Sequence, residues 1–261
     1  MLPYVEIFGR VLPSYGLAAA AGVLLAVLYV KLSEPGRGSV SADLELASVW
    51  GALGCFLGAK ALYLLTALPQ IAADWPLLRA EPLLFIRAYL AGGFVFYGGL
   101  YGALAAVWLY CRAARADAET VFRRLLPAVP LIHGFGRIGC FLTGCCYGVE
   151  CESLGLAFTA SEAAPNGVKL LPVQLIEAAL VLALFAPLAR MSARREGARR
   201  MLGVYLAAYS AARFVLEFFR GDALRGFVAG LSVSQLIAIM SLAFAAYLLL
   251  GARGRGKACH Q

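Results

Sequence analysis

The stretch Leu231-Ser-Val-Ser-Gln-Leu-Ile-Ala-Ile-Met240-Ser-Leu-Ala-Phe-Ala-Ala-Tyr-Leu-Leu-Leu250 carries no charge, and Arg253, Arg255 and Lys257 follow it at once. About 20 mostly apolar residues are what an α-helix needs to cross the hydrocarbon core of a bilayer. Basic residues flanking such a run mark the cytoplasmic side. Six further runs of this kind precede it: Leu12–Val30, Ala47–Leu68, Leu90–Tyr110, Leu125–Leu142, Pro172–Ala189 and Met201–Phe219. Any one alone would fit a buried core helix; seven in one chain point to a membrane bundle.

Composition agrees. The chain is 62% hydrophobic and 15% charged, where a soluble domain carries roughly a quarter charged residues. Its net charge of +8 does not indicate nucleic acid, because the basic residues sit in short clusters between apolar runs. Fourteen lysines and arginines fall on the side of the tail: Lys31, Arg37, Arg112, Arg115, Arg123, Arg124, Arg190, Arg194, Arg195, Arg199, Arg200, Arg253, Arg255 and Lys257. The opposite side holds six: Arg10, Arg79, Arg87, Lys169, Arg220 and Arg225. The expectation is an all-α membrane protein, a single transmembrane domain over 1–261. About seven helices cross the bilayer, with the N-terminus outside and the C-terminus in the cytoplasm. The first ten residues lack the basic region and cleavage site of a signal peptide, so the first run is expected to remain as a helix. Residues 147–171 form the main outer loop, with a turn signal at Pro165-Asn166-Gly167.

Five charged residues fall inside the apolar runs: Lys60, Arg137, Glu177, Arg213 and Glu217. Charge in hydrocarbon is costly, so such residues face a partner or a polar cavity. Arg213 and Glu217 are four apart and share a helix face. They fit either a self-neutralising pair or an anion site in which Glu217 orients Arg213. Lys60 also fits a lysine that reaches toward a helix end.

The segment from His133 to Gly148 packs five glycines, Arg137 and three cysteines into sixteen residues. Glycine lets backbone approach a ligand, and the guanidinium fork matches a phosphate. A site for an anionic lipid head group is one reading; close helix packing through small residues is the other. Cys140, Cys145, Cys146 and Cys151 are not spaced as a usual zinc site, and no metal is expected. A disulfide, most readily Cys146 with Cys151, fits an oxidising outer face. A reactive thiol, favoured by Arg137, is the other possibility.

These motifs resemble the prolipoprotein diacylglyceryl transferase family. Its signature, Gly-Arg-x-Gly-Asn-Phe-x-Asn-x-Glu-x-x-Gly, corresponds to Gly136-Arg137-Ile138-Gly139-Cys140-Phe141-Leu142-Thr143-Gly144-Cys145-Cys146-Tyr147-Gly148. Ser14-Tyr15-Gly16-Leu17 is similar to the family's Trp-Tyr-Gly-Leu, and Gly58-Ala59-Lys60-Ala61-Leu62-Tyr63 to its Gly-Ala-Arg-x-x-Tyr. Tyr97-Gly98-Gly99-Leu100 stands where the family has His-Gly-Gly-Leu. Leu171-Pro172-Val173-Gln174-Leu175-Ile176-Glu177 resembles His-Pro-x-Gln-Leu-Tyr-Glu, and Arg213 to Arg220 resembles Arg-Phe-x-x-Glu-Phe-x-Arg. Six motifs in order span nearly the whole chain. The departures are Cys140, Thr143 and Cys145 for Asn, Asn and Glu, and Tyr97 and Leu171 for two His.

The resemblance implies an enzyme that moves diacylglyceryl from phosphatidylglycerol to the lipobox cysteine of a preprolipoprotein signal peptide, releasing glycerol phosphate. It implies a multi-pass protein of the bacterial inner membrane, expected as a monomer without cofactor. Arg137, Arg213 and Glu217 are the implied catalytic residues, with Tyr97 as a proton-transfer group that its ordinary pKa near 10 makes poor. Tyr15, Gly98, Gly99, Gly136, Gly139, Cys140, Cys145, Gly148 and Arg220 are the implied substrate-binding set. The altered positions leave two other readings open: a lipid transferase with Cys145 or Cys146 as nucleophile, and a non-catalytic lipid-binding protein. No inverted repeat supports a transporter.

Overall fold

The computed structural model describes residues 3–7, 9–33, 39–90, 93–222, 227–228 and 230–258. Arg37, Arg225 and Cys259 lie outside the described residues. The chain packs as two compact units, one of 1–35 with 123–261 and one of 36–122.

The first unit opens with a hairpin of β1 (Tyr4–Ile7) and β2 (Arg10–Pro13), paired antiparallel from Tyr4 opposite Pro13 to Ile7 opposite Arg10. Helix α1 (Ser14–Ser33) follows directly. The second unit holds α2 (Ser39–Thr66), α3 (Leu68–Ala73), α4 (Trp75–Ala80), α5 (Pro82–Leu90), α6 (Phe96–Ala114) and most of α7 (Ala118–Leu125). Its long helices α2 and α6 pack along their length. A Cβ on Gly58 would strike the Gly98 carbonyl, and one on Gly102 the Gly54 carbonyl. Small residues at these four positions let the two backbones approach. The stretch between them breaks into short helices that open on Pro69, Pro76 and Pro82, because proline starts a helix but cannot continue one.

The first unit resumes with α8 (Ala128–Thr143), the antiparallel pair β3 (Leu156–Ala157) and β4 (Lys169–Leu170), α9 (Val173–Ala183), α10 (Phe185–Ala193) and α11 (Ala198–Leu216). A 3-10 turn, Glu217–Phe219, continues α11, and a last hairpin, β5 (Phe227–Val228) with β6 (Leu231–Ser232), leads into α12 (Val233–Ala258). Neighbouring pairs are α1 with α8, α8 with α9 and α11 with α12. The loop between α8 and α9 builds a small core of Phe158, Ala164 and Leu170, against which Phe141 and Tyr147 pack.

The protein is an all-α membrane protein. Among the described residues, six helical segments are long and apolar enough to cross a bilayer: Ser14–Ser33, Val40–Thr66, Ala118–Thr143, Val173–Ala193, Ala198–Phe219 and Val233–Gly251. Leu24, Phe56, Leu57 and Met240 point outward from these helices, an arrangement water penalises and lipid does not. The expected third span is the 19-residue α6, whose tyrosines, glycines and Arg112 lower its hydropathy.

Candidate active site

Four of the five charges expected inside apolar runs lie in the first unit, and one of them, Glu177, pairs with two of the others. Packing of α8 on α9 is close because Gly134 has no Cβ to meet Leu182. Across that contact Arg137 Nε sits 3.1 Å from Glu177 Oε1. Arg213 reaches the other oxygen of Glu177 through Nη1 at 3.3 Å. Tyr209 donates its hydroxyl to Glu177 Oε1 at 3.3 Å, and His133 Nε2 lies 3.8 Å from the same oxygen. His133 is held from its other side, where Nδ1 and the Tyr205 hydroxyl are 3.0 Å apart.

Arg213 is buried at 3% exposure, and both of its terminal nitrogens are engaged. Nη2 sits 2.6 Å from Glu217 Oε2 and donates to Ser234 Oγ at 3.4 Å. Both sequence readings of the Arg213–Glu217 pair assume two partners, whereas Arg213 bridges two carboxylates on two helices. Arg220 extends the chain of charges: Nη1 lies 3.6 Å from Glu217, while Nε and Nη2 make a two-pronged contact with Asp222 at 3.0 and 2.7 Å. Three guanidinium groups thus meet three carboxylates, which meets the requirement that buried charge be paired.

Arg137 differs from the other two. Its Nε serves Glu177, and its two Nη groups make no hydrogen bond to another described residue. A guanidinium fixed by one edge presents the other to a ligand, with a geometry suited to a phosphate.

The C-terminal ends of α8 and α11 are stitched together by the loop that follows α8. Gly144 ends α8 in the left-handed conformation at φ 77, and the Cys145 N–H returns to the Cys140 carbonyl at 3.1 Å. This helix-ending motif relies on a glycine at that position. Beyond it, the Val149 N–H donates to the Phe219 carbonyl at 2.9 Å and the Gly221 N–H to the Tyr147 carbonyl at 3.0 Å. Gly148 passes so close to Leu171 and Val173 that a side chain would strike them.

The same turn collects the thiols. The sulfurs of Cys140, Cys145 and Cys146 all lie within 4.8 Å of one another. Thr143 Oγ1 is 3.6 Å from the Cys145 sulfur. Hydrogen bonds from the Cys140 and Cys145 thiols hold the Cys146 thiol well below the ordinary thiol range, and the charges of Arg137 and Arg220 add to this. Of the two readings of these cysteines, a Cys146–Cys151 disulfide or a free thiol, both residues are free thiols here. Cys146 turns toward the other two thiols, and Cys151 lies beside Ser153, 3.6 Å between Sγ and Oγ. Sequence spacing could not show this grouping, since it depends on the reversal at Gly144.

The glycines of the signature do different things in the fold. Gly136 and Gly139 lie inside α8, where N–H groups are committed to the carbonyls four residues back. Gly139 instead makes room for Tyr15, whose Cδ2 a Cβ would approach to 2.9 Å. Gly136 has open space where its side chain would be. Tyr97, Gly98 and Gly99 belong to the second unit. There Tyr97 is buried and stacks on Tyr101 at 6.4 Å between ring centroids, Gly98 abuts Gly58, and Gly99 lies against Cys55. Lys60, also of that unit, donates to the Tyr89 carbonyl at 2.9 Å.

The sequence profile of the prolipoprotein diacylglyceryl transferases matches residues 4–251. The chain belongs to this family. It is 34% identical over 238 residues to a phosphatidylglycerol–prolipoprotein diacylglyceryl transferase of Clostridium tetani, covering 91% of this chain and 92% of that one. A relative from Clostridium perfringens carrying the same name with the number 2 is also 34% identical, covering 91% and 90%. One from Azospirillum brasilense is 32% identical over 250 residues, covering 92% and 90%.

Glu177 is the site residue that the sequence undervalues. It is one of the five charges inside apolar runs and stands in a family motif, yet only the packing of α8, α9 and α11 makes it the common partner of two arginines. His133, Tyr205 and Tyr209 join it by the same route. Gln174 is placed one turn before Glu177 and donates to the Cys145 carbonyl at 2.7 Å.

Proposed function

We propose that this protein transfers the diacylglyceryl group of phosphatidylglycerol to the lipobox cysteine thiol of a preprolipoprotein, releasing glycerol phosphate. It acts as a monomer in the bacterial inner membrane, which it crosses seven times with the N-terminus outside and the C-terminus in the cytoplasm. Family membership supports the reaction. The arrangement of Arg137 is the observation that carries the mechanism.

The acceptor sulfur attacks the glyceryl carbon, the carbon–oxygen bond to phosphate breaks, and negative charge grows on the departing phosphate. A cation aimed at that charge before the reaction begins lowers the barrier. Arg137 is the cation we assign to this role: Glu177 holds Nε, and Nη1 and Nη2 remain for the phosphate. Arg213 is a positioning residue that fixes Glu177 and Glu217 together. Arg220 stands at the outer end, where an anionic head group enters. An apolar groove of about 310 Å³, lined by Leu17, Ala18, Ala21, Ile138 and Leu142, runs along the helices that carry Tyr15 and Arg137. It suits an acyl chain of the donor.

The test is direct. Purified protein is mixed with phosphatidylglycerol in detergent and a synthetic lipobox peptide. Mass spectrometry is expected to show the peptide gaining one diacylglyceryl group and glycerol phosphate appearing in equal amount. No mass gain, with lipid bound normally, would refute the reaction.

A further inference from the structure

Three thiols meet at the outer end of α8, and local structure holds each in place. Cys140 is on the last turn of the helix. Cys145 is returned over it by the turn at Gly144, and Gln174, 1% exposed, fixes its carbonyl. Cys146 has φ 58, a left-handed conformation that a non-glycine residue keeps only where its surroundings enforce it. This conformation turns Cys146 back, and its sulfur lies within 4.8 Å of the other two.

Their separation, within 4.8 Å for every pair, is close to what a metal ion requires. Zinc–sulfur bonds of about 2.3 Å in a tetrahedral site place ligand sulfurs roughly 3.8 Å apart. A modest contraction of the trio closes such a site. Thiolate sulfur selects zinc over magnesium or calcium. Three protein ligands leave the fourth position open, the pattern of a reactive site and not of a structural one. Three thiolates outweigh a divalent ion by one negative charge.

We propose that Cys140, Cys145 and Cys146 bind one zinc ion whose open position takes the acceptor cysteine as its thiolate. The role of the acceptor rests on the transferase reading above. A thiol bound to zinc gives up its proton outright, and the proton leaves to solvent as the acceptor binds. The sulfur then attacks the glyceryl carbon. The electrons of the broken carbon–oxygen bond depart with the phosphate, and no centre is oxidised or reduced. The product thioether is a neutral, weaker ligand, so it dissociates and water returns to the metal. A thiol of the trio acting as the nucleophile itself would instead keep the lipid as a stable thioether and end turnover.

The full chain, purified in detergent, is analysed for zinc and titrated with cobalt(II). About one zinc per chain is expected, and cobalt should give an intense thiolate-to-metal absorption band. Cys140→Ser and Cys146→Ser should each lose the zinc and the band, while Cys151→Ser keeps both. Stripping zinc with a chelator should abolish lipidation of a lipobox peptide without releasing phosphatidylglycerol, and zinc should restore it. Wild-type protein that binds neither metal overturns the site, a result that needs no variant to fold. Full lipidation after stripping overturns the acceptor role but leaves the transferase reading intact. Metal on the trio with no lipidation under any condition overturns that reading and the acceptor role together.

Discussion

Arg137 Nε and Glu177 Oε1 stand 3.1 Å apart across the contact between α8 and α9. The carboxylate that holds Arg137 is also the one that Arg213 grips from α11, 3.3 Å from its second oxygen. One acidic side chain therefore sets the position of two arginines from two helices.

Glu177→Gln removes that shared partner and leaves two guanidinium groups facing a neutral amide in a buried site. Breaking a buried pair by neutralising one member costs about 3–5 kcal/mol. The variant is expected to unfold at clearly lower temperature in detergent and to lose lipidation activity. Thermal unfolding by intrinsic fluorescence, read beside turnover, checks both.

Arg213 and Glu217 are expected to behave as a coupled structural pair. Each single change, Arg213→Gln or Glu217→Gln, unbalances the buried network of charges and leaves the other member with one partner fewer. The double change should be more stable than the sum of the singles, because it leaves no lone charge at that contact. A double-mutant cycle of unfolding free energies measures the coupling. Strict additivity would contradict the 2.6 Å ion pair as an energetic contact.

Gly139 and Gly136, one turn apart on α8, should respond in opposite ways to alanine. A methyl at Gly139 would sit 2.9 Å from the Tyr15 ring and 3.3 Å from its Cα, so α1 must shift. A methyl at Gly136 meets nothing within 4 Å. Gly139→Ala is expected to destabilise the protein and Gly136→Ala to be tolerated, as unfolding temperatures will show.

Cys151 tests the orientation. The Leu154 N–H, donating to the Cys151 sulfur, is the main reason its pKa lies below the ordinary thiol value. A depressed pKa keeps the thiolate present at lower pH than a free cysteine would, and the thiolate is the reactive form. An impermeant maleimide applied outside intact cells should label Cys151, at a rate that rises with pH and levels off below the pH typical of a free thiol. A reporter fused after Gln261 should report cytoplasm. External labelling of the tail would contradict the orientation.

The membrane bundle was legible because apolar length and flanking charge survive any detail of packing. Runs such as Leu231–Leu250 carry their own signal, and α12 begins within two residues of the expected start. The candidate site was legible where charge stood out against hydrocarbon, as at Arg137, Arg213 and Glu217. Which carboxylate each arginine would choose was not, since that depends on which helix faces meet. Glu177 becomes central only after Gly134 lets α8 and α9 close together. The thiol trio was hidden for a different reason. Its members are five and one residues apart, a spacing without meaning until the left-handed turn at Gly144 folds the chain back. Gly98 and Gly99 read as site residues through the family motif, yet both lie at the packing contact of α2 and α6.

The claim at the centre of this account is that Arg137 receives the departing phosphate through its two Nη groups. The decisive measurement is the turnover of Arg137→Lys on phosphatidylglycerol and a lipobox peptide, followed by mass spectrometry beside an unfolding curve. Lysine keeps the charge but cannot hold Glu177 and a phosphate with one planar group. Loss of a charge-assisted hydrogen bond, typically about 1.5–3 kcal/mol, corresponds to a rate lower by roughly 10- to 150-fold. A folded Arg137→Lys protein slowed to that extent is the predicted result; a folded one with full turnover would contradict the assignment.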